Sequence, residues 1–303
     1  MNAISPQTDV VGIGLCTVDL LFNVPQLPAF DRSVRAAQYL RQSGGPVPSA
    51  LVALSRLGAS TRFIGRIGDD DDGRFIRTSL EGEGVDTGCM IVESGALSRI
   101  SLVLVDQQSG ERCFTSRPET CAPLIPADLC REDIASARIL HLDDADAISL
   151  QAARWAREAG VLVVLDGTWV HEDLDQLLTL VDVPIVSNKL ADRWMPSATP
   201  EEVVRRLAGG GARIAAMTLG ERGCVVLVDN ELLTFPAFSV DVVDTTGAGD
   251  AFHGGFIYGL LQGWGIEEIA RFAAAVAALN CRQLGGQSGL PTRDEVEDFL
   301  AGS

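Results

Sequence analysis

The run Asp244-Thr245-Thr246-Gly247-Ala248-Gly249-Asp250 carries the densest chemistry in the sequence. Before it, Val240, Val242 and Val243 are strand formers. After it, Phe252, Phe256, Ile257 and Leu260 recur at helical spacing. Strand, glycine turn and helix in that order bring the first helix amides to the turn, unpartnered and partially positive. A turn almost free of side chains lets an anion reach those amides, which makes a phosphate site. Asp250 then has two readings. It is a helix cap, or it takes a proton from a hydroxyl that attacks phosphorus. In the second case the amides of Gly247, Ala248 and Gly249 hold the charge that develops.

Other groups fall where strands should end. Asp19 follows the apolar run 9–15, and Asp143 and Asp166 close the runs 139–142 and 161–165. Acids at the carboxyl ends of parallel strands belong in a ligand crevice. Gly44-Gly45 precedes a helix that contains Ser49 and stops at Gly58. A diglycine lets backbone reach a ligand, and Ser49 can donate one hydrogen bond. Thr218-x-Gly220-x-x-Gly223 reads as strand, tight turn, strand. Gly12-x-Gly14 invites a dinucleotide fold, but Thr17 stands where the third glycine belongs, so a dehydrogenase is disfavoured. Asp69 to Asp72 suggests a metal loop. Arg74 and Leu80 break that template, and the acids fit the start of a helix running to about Gly82. His141, His171 and His253 share no ligand spacing.

These groups need a scaffold of alternating strands and helices. The chain has 303 residues, 47% of them hydrophobic, enough for one large α/β domain. The alternation implies a mostly parallel sheet with helices on both faces. Residues 20–43 alternate loosely and hold turn signals, and residues 99–116 give two strand-like runs, Ile100 to Val105 and Arg112 to Ser116, joined by a turn. An alanine-rich helix is expected from Ile269 to Leu284, and a last one from Thr292 to about Leu300. The net charge of −17 argues against nucleic acid and anionic membranes as partners. Seven cysteines without a Cys-x-x-Cys pair point to free thiols. The sequence has no apolar run of membrane-spanning length, and Met1 to Asp9 lack a secretory signal, so the expectation is cytoplasmic.

All seven residues 244–250 match the C-terminal signature of the ribokinase-like (PfkB) carbohydrate kinases, and the chain resembles that family from Val10 to about Leu300. The resemblance implies an α/β fold: a ribokinase-like three-layer sandwich with a mostly parallel central sheet and a small β-sheet lid. It implies a single domain over 1–303, with lid strands at about 20–43 and 98–118. It implies an ATP-dependent kinase for a hydroxyl of a small sugar, with Mg²⁺ bridging the ATP phosphates and Asp250 as base. Gly247, Ala248 and Gly249 would be the anion hole. Asp19, Gly44, Gly45, Ser49 and Asp143 would hold the sugar, with Asp166 a weaker candidate. Asn188, Thr218, Gly220, Gly223, Ala274 and Gly285 would hold ATP. Asp244 and Thr246 would sit at a monovalent cation such as K⁺, and subunits would pair through the lid.

Two positions depart from the family pattern. Ser49 stands for an Asn, and Ala191 for a Glu that helps hold magnesium through water, with Asp192 one residue off. Gly44-Gly45-Pro46, 235–243 and 285–291 give the chain the look of the ketohexokinase and sulfofructose kinase branch. A ribokinase or nucleoside kinase shares the catalytic string, and a non-catalytic sugar sensor on the same fold is the alternative from another class. Arg112 or Arg117 could reach an anionic acceptor group; a solvated lid face is the expectation for each.

Overall fold

The computed structural model describes residues 8–302. The reading of Met1 to Asp9 thus falls largely outside the described residues. In chain order the strands are β1 (Thr8–Ile13), β2 (Thr17–Val24), β3 (Gln38–Gly44), β4 (Thr61–Ile64), β5 (Arg66–Gly68), β6 (Val85–Asp86), β7 (Ile91–Glu93), β8 (Ile100–Asp106), β9 (Arg112–Arg117), β10 (Ala137–Leu142), β11 (Leu162–Gly167), β12 (Val183–Ser187), β13 (Ile214–Thr218), β14 (Cys224–Val228) and β15 (Glu231–Phe235). The large sheet runs β15-β14-β13-β12-β11-β10-β1-β4-β6. It is parallel from β13 to β6, with β14 and β15 added antiparallel at one edge.

Its central strands are apolar on both sides, as a parallel sheet covered by helices requires. Successive residues feed opposite faces. Val10 and Val164 pack with helices Pro46–Arg56, Ala248–Gln262 and Ile266–Asn280. Val11, Val163 and Leu165 pack with helices Ala147–Ala159 and Pro200–Ala208 on the other side. Helix Asp71–Gly82 uses the acid run as its start: Asp70 caps it, accepting from Gly73 N at 2.8 Å.

A second sheet runs β3-β2-β8-β9, with β2 and β8 parallel and the outer pairs antiparallel. One of its faces presents Asp19, paired in register with Gln42 and Ser101, toward the carboxyl ends of the large sheet.

One expected strand is not formed. Residues 240–243 join no ladder, because β15 is the sheet edge and no partner lies beyond it. Val242 and Val243 are exposed, and the Val243 and Asp244 amides donate instead to Cys281 O at 2.9 and 3.3 Å. The helix expected over 269–284 ends at Asn280, leaving 281–290 as turns. The final helix starts on a capping box between Thr292 and Glu295, as its sequence requires.

Helix Ala248–Gln262 is buried nearly all round. Gly254 and Gly255 make this possible. A Cβ on Gly254 would sit 2.6 Å from Ala53 Cβ, and one on Gly255 2.8 Å from Ala273 Cα. The helix is wedged between two neighbours at backbone distance, so its first turn cannot drift. Gly255→Val should therefore destabilise the protein by about 3 kcal/mol through overpacking, read as a lower urea midpoint. An unchanged midpoint would refute the wedge.

Candidate active site

The carboxyl ends of adjacent parallel strands supply the floor of the site. β1 runs into Gly14, β10 into Asp143, β11 carries Asp166, and β12 and β13 lead to Asn188 and Thr218. The turn 244–247 and helix Ala248–Gln262 supply the catalytic candidates. Asp244 is fully buried. Its Oδ1 accepts from Thr246 N and Thr246 Oγ1, both at 2.8 Å, and its Oδ2 accepts from Gly285 N at 2.8 Å. Gly247 caps the helix at φ 72°, where a side chain is strained. A Cβ there would also lie 2.5 Å from Gly286 Cα, so the turn rests directly on the 285–286 backbone.

The amides divide unequally. Ala248 N turns back to Thr245 O at 3.3 Å, and Ala251 N bonds Gly247 O at 2.8 Å. The amides of Gly247, Gly249 and Asp250 have no acceptor among the described residues. Three outward N–H groups at a helix start are an anion cradle. Ala248, expected in the hole with Gly247 and Gly249, spends its amide inside the turn, and the Asp250 amide stands free in its place.

Asp250 faces this cradle from the first helical turn. Burial pushes its carboxyl well above the carboxylate range, and the negative charge of Asp166 pushes further; Arg112 pulls back, while Asp19 and Asp143 again push up. Burial lifts Asp19 to about 7 and Asp166 to about 6. Asp143 is also raised well above its ordinary value, by burial first and Asp166 second. Leu15 N donates to Asp143 Oδ2 at 3.2 Å, and Thr168 Oγ1 to Asp166 Oδ1 at 3.1 Å. His253 Nε2 lies 3.4 Å from Asp166. Burial drives His253 down to about 3, so it meets Asp166 as a neutral imidazole. Four acids this close cannot all ionise. A set of carboxyls that holds protons near neutrality can both donate to and accept from the hydroxyls of a polyol.

The structure brings together Asp19, Gly44, Asp143, Asp166 and Asp250. Gly44 lies directly against the Asp19 carboxylate. A cavity of about 470 Å³ opens beside Asp143, lined also by Gly14, Pro46, Arg99, Glu119 and Trp169. Arg112, read as a solvated lid residue, is half-buried and donates to Thr245 Oγ1 at 2.6 Å; Thr245 Oγ1 donates to Gly110 O at 3.2 Å. The β8–β9 hairpin is thereby fastened to the 244–247 turn. Arg112 joins no ion pair among the described residues, and its Nε is buried without a partner. Arg117 instead donates to Ser98 O at 2.6 Å, beside Asp72 at 3.5 Å. The two arginines stand five residues apart on β9 and so point to opposite faces of the small sheet; alternation separates them but does not say which face meets the 244–247 turn.

Farther along the sheet edge, Asn188 opens helix Asn188–Trp194, capped by Ser187. Ala191 is buried while Asp192 is exposed, so Asp192 does not take the vacated acid's place. In the 218–224 turn, Leu219 N bonds Gly223 O at 2.7 Å and Gly223 N bonds Gly220 O at 2.9 Å. Gly223 therefore closes the turn, and a Cβ on Gly220 would meet open space. Ala274 is half-buried on helix Ile266–Asn280, and Gly285 is tied to Asp244. No group of three or more His, Cys, Asp or Glu among the described residues is arranged to hold a metal ion.

The profile of the pfkB family of carbohydrate kinases matches residues 7–293. An ATP-dependent ribose-1-phosphate kinase of Halopiger xanaduensis is 32% identical over 300 residues, covering 96% of this chain and 98% of its own. Fructokinase-1 of Oryza sativa is 29% identical, covering 86% and 89%. The structure of Arabidopsis thaliana ribokinase with ribose and ATP superposes with a TM-score of 0.83 at 25% identity, over 98% of this chain and 99% of that one. Thermotoga maritima ribokinase gives 0.84 at 25% identity, over 97% and 99%. The fold is ribokinase-like. No helix among the described residues is long and apolar enough to cross a membrane.

Asp166 offers a test of the crowded acids. Its folded-state value is raised, so the stability tied to it is present in acid and is lost as pH rises through about 6. Asp166→Asn cannot ionise. It should unfold at higher temperature than the parent at pH 7.5, by on the order of 2 kcal/mol, with the gain gone near pH 4. Calorimetric melts at both pH values check this, and an equal shift at both would reject it.

Proposed function

We propose, for a chain that belongs to the pfkB family of carbohydrate kinases, that Asp250 is the general base of ATP-dependent phosphoryl transfer to a hydroxyl of a small sugar. The observation that carries this reading is the pairing of Asp250 with three unspent amides at one helix start. Asp19, Gly44, Gly45, Ser49 and Asp143 hold the sugar over Asp250. The Asp250 carboxylate accepts the hydroxyl proton as the sugar oxygen attacks the terminal phosphorus of ATP. The Gly247, Gly249 and Asp250 amides meet the charge that spreads over the phosphoryl oxygens. Mg²⁺ on the ATP phosphates neutralises their charge. Asn188, Thr218, Gly220 and the 274–285 region form the nucleotide side, with Gly223 shaping its turn. The small sheet acts as a lid that keeps water from the phosphoryl group.

The acceptor reading stays at the level of a pentose or ketose. Names among the relatives span fructokinase, ribokinase and ribose-1-phosphate kinase, and the half-buried, unpaired Arg112 favours an anion at the site. A monovalent cation near Asp244 and Thr246 belongs to the same proposal; the buried, unpartnered Asn280 Oδ1 beside Thr246 supports it. Added KCl should then raise the rate, and equal rates in KCl and in a tetramethylammonium salt would count against it. The face of the small sheet opposite Asp19 carries Phe22, Tyr39, Leu102 and Leu104, with Phe22 and Tyr39 rings 5.0 Å apart. A second copy of the chain covers that face. Leu104→Glu should halve the mass seen in sedimentation equilibrium; a monomeric parent would exclude the dimer.

The decisive assay is ADP release from Mg-ATP across ribose, fructose, their phosphates, sulfo-sugars and nucleosides. Asp250→Asn should lower kcat by about 10³-fold while sugar binding by calorimetry persists. Sugar binding without turnover in the parent would favour the sensor reading. The charge of Asp166 raises Asp250, so Asp166→Asn should move the acid limb of the kcat/KM profile to lower pH. A limb that stays in place would show that Asp250 does not set it.

A further inference from the structure

The cavity of about 470 Å³ shares a wall with the acceptor groups. Asp143 lines it, and so does Pro46, which follows Gly45. Asp19, Gly44, Ser49 and Asp250 do not. Its volume therefore comes in addition to the space at Asp19 and Asp250. Pockets of about 300–1,000 Å³ enclose whole drug-sized ligands, so this one has room for a bulky group attached to the sugar.

The wall decides what that group is. Trp169 lines the cavity with 52% of its surface exposed, and the Arg193 guanidinium lies 5.9 Å from its ring centre. Such an indole offers a flat face for stacking. The two arginines of the wall already face carboxylates: Arg66 Nη2 donates to Asp128 at 2.7 Å, and Arg99 Nη1 to Glu119 at 3.1 Å. Arg66 Nε, buried without a partner, is the donor they leave over. Two aspartates of the wall keep spare acceptors. Asp144 Oδ1 accepts from Ala145 N at 2.7 Å, and Asp146 Oδ1 from Ser149 N at 2.8 Å. His171 Nε2 lies 3.6 Å from the same Asp144 oxygen. The Oδ2 atoms of both aspartates accept from nothing among the described residues. Carboxylates accept and do not donate. The wall thus suits a flat group with N–H donors, an acceptor and no negative charge. Arg112, the unpaired cation, stands on Thr245 and outside this wall, so it draws no anion here.

We propose that this cavity is the second half of the acceptor site: it takes a heteroaromatic base bearing an amino group, so the acceptor is a ribonucleoside. This rests on the kinase reading of the site. The ring lies against Trp169, the amino group donates to Asp144 or Asp146, and the ribose stays at Asp19 and Asp143 with a hydroxyl at Asp250. A phosphate in place of the base would meet carboxylates and only paired cations, so sugar phosphates are poor acceptors.

The probes share a ribose ring and differ in what its first carbon carries: D-ribose, D-ribose 1-phosphate, adenosine, inosine, cytidine and uridine. ADP release from Mg-ATP gives a KM for each. Adenosine or cytidine should have a KM at least about tenfold below that of D-ribose. It should also lie below that of inosine or uridine, which carry a carbonyl in place of the amino group. D-ribose 1-phosphate should be the weakest. Trp169→Ala should raise the nucleoside KM about tenfold and leave the D-ribose and ATP KM within about twofold. Asp144→Arg should lower the KM for D-ribose 1-phosphate about tenfold relative to the nucleoside. A parent that prefers D-ribose or D-ribose 1-phosphate would overturn the inference, as would a Trp169→Ala that moves the D-ribose and nucleoside KM alike. Asp144→Arg carries the test should Trp169→Ala not fold, and an unchanged ratio between sugar phosphate and nucleoside then refutes it. Turnover of D-ribose without any preference for nucleosides keeps the kinase reading and ends this one. Should nothing be turned over, the same ligands are compared by calorimetry, with a non-hydrolysable ATP analogue filling the nucleotide side. Nucleoside binding that Trp169→Ala weakens then keeps the cavity assignment while the kinase reading fails, and absence of nucleoside binding ends both.

Discussion

Everything at the site depends on how one buried carboxylate is satisfied. Asp244 has no access to water, and a polar group in that position is tolerated only when its hydrogen bonds are made. It finds them in Thr246 N, Thr246 Oγ1 and Gly285 N. Those three bonds weld the turn before helix Ala248–Gln262 to the loop after helix Ile266–Asn280. Gly247 can then rest on Gly286, and the outward amides are aimed before any ligand arrives. Preorganised donors of this kind need no rearrangement when charge develops, which is why they are effective.

The helix that bears Asp250 is held with equal strictness from behind. Gly254 and Gly255 let it approach two neighbouring helices at backbone distance. Rigid support leaves electrostatics as the adjustable part. Asp19, Asp143 and Asp166 surround Asp250, and burial raises all four. The common consequence is a group of carboxyls that hold their protons more strongly than free ones do. Only Arg112, brought by the β8–β9 hairpin, opposes this trend at Asp250. The small sheet thus brings a positive charge to the 244–250 turn.

The two departures from the family pattern have different structural outcomes. At 191 the alanine is packed into the core, and Asp192 faces solvent, so nothing nearby replaces the acid. At 49 the serine is short, yet a distant glutamine reaches it. A short side chain is met by a hydrogen bond from a remote loop in one case and absorbed by packing in the other.

Much of this was legible in the sequence. Spacing and glycine content decided the turn and helix of 244–262, the alternation of strands and helices, and the acids at strand ends, because these rest on local geometry and periodicity. The family follows from the same string. The sequence overreached at 240–243, where strand-forming valines had no neighbouring edge to join, since β-structure needs a partner as well as propensity. It could not rank Arg112 above Arg117, or see Gln287 beneath Ser49, 238 residues away. Nor could it tell which amides of the glycine turn remain free. Those facts depend on contacts between segments remote in the chain, and only the packed fold decides what lies next to what.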